Sequence, residues 1–419
     1  MSGSAQPDRV ALAAIAVLAV YVVVTSVPYR YAAETPVIGG LPYLPVAAAF
    51  VAIAVMAGVA VERRPRPLLV LAALGYGVAV ATALLETGAE PMRDLDLYLD
   101  AGRRFMAGEA VYMTAPLTAA PADPSGLPFL YPPPVLPLFA ALATLPPAVA
   151  GATWAGASVT ALLVAMRAIG IAPLWLPAFL LWRPAFDGLW AGNVAPFMFA
   201  LFAIGPWFGA ALPLSASFKL YNGIAALWLV RTRRWRAIAT AAAIVATIVL
   251  VTLPLTGIDL WSEWLAGLGY YQQSQTAVPG LYGMSLASWF PAAVVLVLGV
   301  GVIAFALVPA GREGLARLGL ATIVASPSLF TPGFLWAVPA MAMASLTIAL
   351  ASFVVMAGPA QWLAWWIPIG VMLVAWVAPG MRRTADAGLV SLEDPFADHS
   401  SPWPTAPHTG SPLHARGSP

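Results

Sequence analysis

Two carboxylates, Asp94 and Asp96, stand two residues apart in MRDLDLYLDAGRRFMAGEAVY (92–112). Eight charges gather between Glu90 and Glu109, in a chain with only 9% charged residues. A carboxylate at the mouth of a membrane cavity can act as a general base, taking a proton from an attacking hydroxyl. The same residue can cap a helix, or belong to an ion or proton route. Arg93, Arg103 and Arg104 lie within ten residues of Asp94. An arginine fork there can hold a phosphate in bidentate fashion. The structural alternative is headgroup anchoring with an Asp100–Arg104 pair at i,i+4, which contributes only about 0.2–0.5 kcal/mol.

The element that positions these groups is legible from spacing. From Leu95 onward, Leu95, Tyr98/Leu99, Gly102 and Phe105/Met106 recur at helical period, with Asp96, Asp100, Arg103 and Ala107 on the other side. The pattern predicts a short amphipathic helix in the membrane interface, with Asp94 at its N-cap or first turn.

The rest of the 419-residue chain is 61% hydrophobic, and its apolar blocks approach the ~20 residues that cross a bilayer. The fold class expected is therefore all-α, a polytopic integral membrane protein; a β-barrel is not expected. Candidate spans cover 10–27, 43–61, 68–86, 132–149, 151–168, 171–187, 193–210, 213–230, 237–255, 288–309, 315–330, 333–356 and 361–379. The first is read as an uncleaved, targeting span following a short cytoplasmic segment, 1–9. Residues 10–379 form the transmembrane domain, and the Ser/Pro-rich 380–419 is expected to be disordered.

Arginine clusters at 63–66, 231–236 and 312–317 fall on one side and mark it cytoplasmic, which leaves the loops near 87–131 and 256–287 outside. The same parity places Arg382 and Arg383 outside, against the rule. The localisation expected is the cell membrane, with the acidic loop facing outward.

A formal charge of +2 with scattered basic residues gives no footprint for nucleic acid. Cysteine is absent, and all three histidines, His399, His408 and His414, lie in the tail, so neither a histidine zinc site nor a histidine base is expected in the core. No cofactor is expected; a divalent ion, if used, would draw on Asp94, Asp96 and phosphate oxygens. Prolines in PVLPLFAALATLPPAVAG and IAPLWLPAFLLWRPAF predict broken helices of the kind that line a site, although Pro is also common in membrane helices generally. Trp261, Trp264, Tyr270, Tyr271, Gln272, Gln273 and Gln275 form an external aromatic and amide cluster, able to stack on sugars or to serve as an interfacial belt.

In order and spacing, several segments resemble glycosyltransferase family 87, the polyprenyl-phosphate-mannose-dependent mannosyltransferase-like enzymes of the GT-C superfamily. DLDLYLDAGRRFMAGEAVY (94–112) resembles the family's acidic residue followed four positions later by tyrosine. FLYPPPVLPLFAALATLPPAV (129–149) resembles its tyrosine-proline approach to the next span. GLWAGNVAPFMFAL (188–201) resembles its Gly-Gln-x-Asn segment, reduced here to Gly192-Asn193. SFKLYNGIAALWLVRTRRWR carries Lys219 at the place of the lone lysine, and YYQQSQTAVPGLYGMSLASW (270–289) resembles the late external loop. SPSLFTPGFLWAVPAM (326–341) keeps Ser326-Pro327 without the Trp-x-His/Tyr continuation. The resemblance spans roughly 68–379, and the first two spans look like an addition.

It implies a GT-C fold of about 11–13 transmembrane helices and an inverting transfer of mannose or another hexose. The donor would be a polyprenyl-phosphate sugar and the acceptor a glycolipid or polysaccharide on the outer face. Asp94 then stands at the catalytic position with Asp96 as its neighbour. Arg103, Arg104 and Lys219 are donor-phosphate candidates. Tyr98, Tyr131, Asn193, Gln272, Gln273 and Gln275 are sugar or acceptor candidates. Lys219 could instead snorkel, and Asn193 could instead bridge a broken helix. The chain lacks a Gly-rich Rossmann turn for a nucleotide sugar, which agrees with a lipid-borne donor. The competing reading is a transporter or flippase for a lipid-linked or polar solute, whose acidic residues belong near the midplane.

Overall fold

The computed structural model describes Tyr76 and residues 91–121, 127–275, 277–278, 280–344, 346–358 and 362–377. The spans expected at 10–27, 43–61 and 68–86 (Tyr76 apart), and the tail, lie outside these residues. Among the described residues the structure is helical, with no sheet; an isolated parallel bridge joins Gly283 to Leu329, and Ile171 and Ala344 are also bridge residues.

The predicted acidic helix is present as α1, Arg93–Ala107. Asp94 and Asp96 lie in its first turn and Arg104 in its last, each of a sign that suits that end of the helix dipole. It ends at Gly108, in the left-handed region at φ 68°, whose N–H bonds the carbonyls of Arg104 and Phe105. Leu95, Tyr98, Leu99, Ala101 and Gly102 are buried, close to the expected face, but Met106 is 51% exposed. That face packs on α2, Leu136–Ala143. A Cβ at Gly102 would sit 2.6 Å from the backbone of Phe139 and Ala140, so glycine sets how closely the two helices approach.

Proline divides the chain as its spacing predicts. A 3-10 turn at Pro133–Val135 leads into α2, and Pro146 then starts α3, Pro147–Ile169. The expected span 171–187 is split into α4, Leu176–Leu181, and α5, Arg183–Trp190, with the break at Trp182 before Pro184. Next come α6, Ala195–Ile204, the short α7, Ala211–Leu214, and α8, Leu227–Arg231. Lys219 does not lie in a continuous helix. It is an extended residue, φ −137° and ψ 115°, between 3-10 turns at Ser215–Ser217 and Leu220–Ala226. The expected span 213–230 is therefore broken around its only lysine.

Beyond it run α9, Trp235–Thr256, and α10, Asp259–Ser274. They are followed by α11, Ala292–Ala306, and α12, Arg312–Ala325. The chain continues through α13, Val338–Met343, α14, Leu346–Ala357, and α15, Trp362–Val377. Pro254 and Pro368 sit inside α9 and α15 without ending them, so proline alone does not decide a break.

Two described helices, α3 and α9, are long and apolar enough to cross a membrane. α3 is half buried, whereas few residues of α9 are buried, and Leu250, Val251 and Leu255 are each more than 60% exposed. The buried core runs without interruption from α1 and α2 through α3, α5 and α6 to α12 and the 3-10 turn Thr331–Ala337. The acidic helix is thus attached to the main body of the protein.

Candidate active site

α1 begins without a side-chain cap. Its N-cap residue, Met92, adopts the left-handed conformation at φ 56°. Two of the amides at its start are satisfied by main chain from another helix. Met92 N–H donates to the Trp190 carbonyl at 2.7 Å, and Asp94 N–H to the Ala191 carbonyl at 2.8 Å. The carbonyl end of α5 therefore meets the amide end of α1, and each satisfies groups the other leaves open.

This junction releases the Asp94 carboxylate from capping. Oδ1 accepts from Nε of Arg93 at 3.0 Å, and the Arg93 Nη2 lies 3.0 Å from the same oxygen. Oδ2 accepts from Nδ2 of Asn193 at 2.6 Å. A carboxylate offers about four acceptor positions. Among the described residues, one position on Oδ2 is left open, and the side chain keeps 15% of its surface exposed.

Asn193 is fixed in turn by local chemistry. Its Oδ1 accepts from Ala195 N–H at 2.8 Å, closing the first turn of α6, so the other end of the amide points at Asp94. Gly192 before it has φ 69°, and a Cβ there would sit 2.8 Å from Leu95 Cβ. Its carbonyl accepts from the Trp154 indole at 2.8 Å.

One turn along α1 from Asp94, Tyr98 is buried and packs against Phe139, Tyr131, Phe129 and Trp154. Its hydroxyl lies 2.9 Å from that of Tyr131. The Phe129–Tyr131 segment is held from two sides. Tyr112 Oη donates to the Tyr131 carbonyl at 2.9 Å, and the Trp264 indole to the Leu130 carbonyl at 3.0 Å. Burial, with Glu263 nearby, pushes the Tyr112 phenol well above its ordinary range, so it remains a neutral donor. Trp264, expected in an external stacking cluster, is a buried strut.

Lys219 is the cation that the fold brings into electrostatic range of this group. It is partly buried, and Tyr221, Tyr131, Asp94 and Tyr271 all act on its ammonium. Among the described residues its ammonium makes no ion pair or hydrogen bond. Arg103 and Arg104 stand elsewhere: both are about half exposed, paired with Asp100 at 3.6 and 2.7 Å. Nine and ten residues beyond Asp94, they lie roughly 14–15 Å further along the helix axis. Asp96 shares the first turn with Asp94 and is partly buried. Gln272 and Gln273 are exposed on the last turn of α10, and Gln275 gives its amide to the Ala287 carbonyl at 3.0 Å.

Residues 129–332, just under half the chain, match the family described as glycosyltransferase family 87. Over this segment the chain is similar to family 87. No curated protein and no solved structure matches it. The family 87 segment contains Tyr131, Asn193, Lys219, Gln272, Gln273 and Gln275, and it begins after α1. Asp94, Asp96, Tyr98, Arg103 and Arg104 thus lie ahead of the matched region. The two are joined physically, because the amide that holds Asp94 and the carbonyls that seat α1 all come from residues 190–193 of the family 87 segment.

Sequence reasoning passed over a second charged pair in the same region. Arg183 and Asp187, at i,i+4 on α5, form an ion pair at 2.7 Å with side chains only 12% and 15% exposed. The Thr331 side chain also acts on the Asp187 carboxylate. The signal available was two ionisable residues one turn apart inside an otherwise apolar stretch.

Proposed function

We propose that the chain is an inverting glycosyltransferase that uses a polyprenyl-phosphate sugar, with Asp94 as the base. The reading includes a polytopic GT-C-like fold in the cell membrane, with α1 at the outer interface. One observation carries it: a partly exposed carboxylate, held on both oxygens by Arg93 and Asn193, keeps an open acceptor position, with the Lys219 ammonium within its electrostatic range.

The open position on Oδ2 receives the proton of the acceptor hydroxyl as that oxygen attacks the anomeric carbon. The bond from this carbon to the phosphate oxygen breaks, and the polyprenyl phosphate leaves with the electron pair. Lys219 is assigned to neutralise the departing charge. A single displacement inverts configuration and needs no second carboxylate nucleophile. The membrane dissolves both donor and glycolipid acceptor, so the protein has to orient them rather than extract them from water. Tyr98 and Tyr131 are assigned to the sugar side of the site. Asp96 supports the acidic turn, and the α10 glutamines are assigned to the acceptor approach. Arg103 and Arg104 stand too far along α1 to share a phosphate with Lys219 at Asp94, and they suit a lipid headgroup.

The test is transfer by membranes containing the full chain, given radiolabelled polyprenyl-phosphate mannose, glucose and arabinofuranose in turn. Wild type is expected to transfer label from one of them to an endogenous acceptor, and Asp94→Asn to lose at least 1,000-fold. Undiminished transfer by Asp94→Asn, or no transfer by wild type from any donor, overturns the reading.

A further inference from the structure

At the end of α9 away from Asp94, three stretches of chain are clasped together by arginine and tryptophan side chains. α9 sets the separation. Its last turn leads through Gly257 into α10, whose Trp264 donates to the Leu130 carbonyl beside the candidate site, and its start is 22 residues, roughly 33 Å, away. At that start, Arg231 Nε donates to the Leu307 carbonyl at 2.8 Å and its Nη2 to the Val308 carbonyl at 3.1 Å. The Trp228 indole reaches the Ala310 and Gly311 carbonyls at 2.9 and 3.2 Å. Arg234 lies over the Trp228 ring at 4.7 Å and donates from Nη1 to the Pro206 carbonyl at 2.7 Å. The turn 231–236, the connection 307–312 and Pro206 therefore form one surface.

Its charge is one-sided. Arg231, Arg233, Arg236 and Arg312 are exposed on it, with Arg234 half-buried among them. The chain has no carboxylate between Asp187 and Asp259, and between Glu263 and Asp386 it has only Glu313, which is bonded to the buried Arg317. Among the described residues neither Arg233 nor Arg236 has a side-chain partner, and Arg231 keeps Nη1 unused. Arg233 stands at φ 55°, just past the end of α8, in the left-handed position that glycine ordinarily takes. A large cation is kept there against that preference. Around these cations Trp235 is 59% and Val308 68% exposed, and Phe208 and Val230 are exposed as well. Arginine interleaved with tryptophan and aliphatic groups suits a membrane interface, where guanidinium meets phosphate and the apolar groups meet the acyl region.

We propose that this surface seats the headgroup of an anionic phospholipid, with its phosphate among Arg231, Arg233 and Arg236 and its acyl chains along the exposed side of α9. Charge complementarity selects the occupant. The guanidinium fork matches phosphate oxygens. A zwitterionic headgroup would also bring a cation among the arginines, where Glu313 is already taken; an anionic one brings none. Basic pockets at the inner face of membranes hold anionic headgroups by the same chemistry. The bound lipid supplies α9 with contacts that its own side chains do not make, since few of them are buried. The inference rests on the reading of the chain as a membrane protein and is independent of the role of Asp94.

The test uses the full chain in nanodiscs of phosphatidylcholine alone and of an equal mixture with phosphatidylglycerol. Wild type is expected to melt about 3–5 °C higher in the mixture, as a ligand that binds only the folded chain requires. Native mass spectrometry from detergent with added phosphatidylglycerol should show a retained lipid adduct, at least fivefold depleted in Arg233→Gln/Arg236→Gln. That variant removes no protein contact and should melt like wild type in phosphatidylcholine, with less than half the gain in the mixture. Should it fail to accumulate, Arg233→Gly carries the test, because it removes the cation and relieves the backbone: it should melt no lower than wild type in phosphatidylcholine and still lose the gain. An equal gain in wild type and variants overturns the proposal, as does the same gain from inorganic phosphate added to phosphatidylcholine discs, which would make the ligand a free anion. Asp94→Asn is expected to keep the full lipid gain. If it also keeps transfer, the reading of Asp94 as the base falls and the lipid seat stands; if alkaline carbonate releases the wild-type chain from membranes, the membrane reading and the lipid seat fall together.

Discussion

At the scale of single residues, Asn193 is the clearest case of one side chain serving two elements. Its oxygen closes α6 and its amide nitrogen holds Asp94, so removing it affects both the helix start and the base. A hydrogen bond to a charged group is worth about 1.5–3 kcal/mol, which corresponds to roughly 10–100-fold in rate if it is fully expressed in the chemical step. Asn193→Ala is expected to lower kcat within that range, and Asn193→Asp further, since a second carboxylate would stand where Oδ2 now accepts. Steady-state kinetics on protein of verified melting temperature checks both. This contact was beyond the reach of sequence reading, because its partners are 99 positions apart. The local i,i+4 pair Asp100–Arg104 was readable and is present at 2.7 Å.

At the scale of elements, the junction of α5 with α1 does most to place the carboxylate, and Gly192 is its tightest point. An L-residue in the left-handed conformation costs about 1–2 kcal/mol, and here a Cβ would also press on Leu95. Gly192→Ala is expected to lower the melting temperature and to reduce transfer by moving Asn193 away from Asp94. Gly269→Ala, in a helix and facing open space, is the matched control and should do neither. Thermal unfolding followed with a thiol-independent dye, together with the transfer assay, separates the two. Helix α1 was legible because charge and apolar spacing agree over fifteen residues. How it starts was not, because Met92 caps nothing and the amides are met by distant carbonyls. Proline was an incomplete guide, marking the breaks at Pro146 and Pro184 but passing silently through Pro254 and Pro368. Arg183 and Asp187 were hidden by their apolar setting, since a motif search looks for clusters and these are two isolated charges until α5 forms.

At the scale of the whole molecule, composition alone was enough for a helical protein, because few charges and long apolar blocks leave little else; two of the described helices are long and apolar enough to span a bilayer. How those segments stand across a bilayer can be tested directly, since the chain has no cysteine and any introduced thiol is unique. α9, of 22 residues, is about 33 Å long, close to the ~30 Å hydrocarbon thickness. A thiol at Ile258, 71% exposed at its far end, is expected to react with a membrane-impermeant maleimide on intact cells. A thiol at Arg236 should react only after permeabilisation, and the reverse order would invert the orientation proposed above. The bare surface of α9 has one more consequence. On the membrane reading proposed above, a helix with so few buried residues is kept in place by annular lipid more than by interlocking side chains. Solubilisation that strips this lipid removes the lateral pressure on α9 first, while the brace between α5 and α1, made of main chain and sealed inside protein, remains.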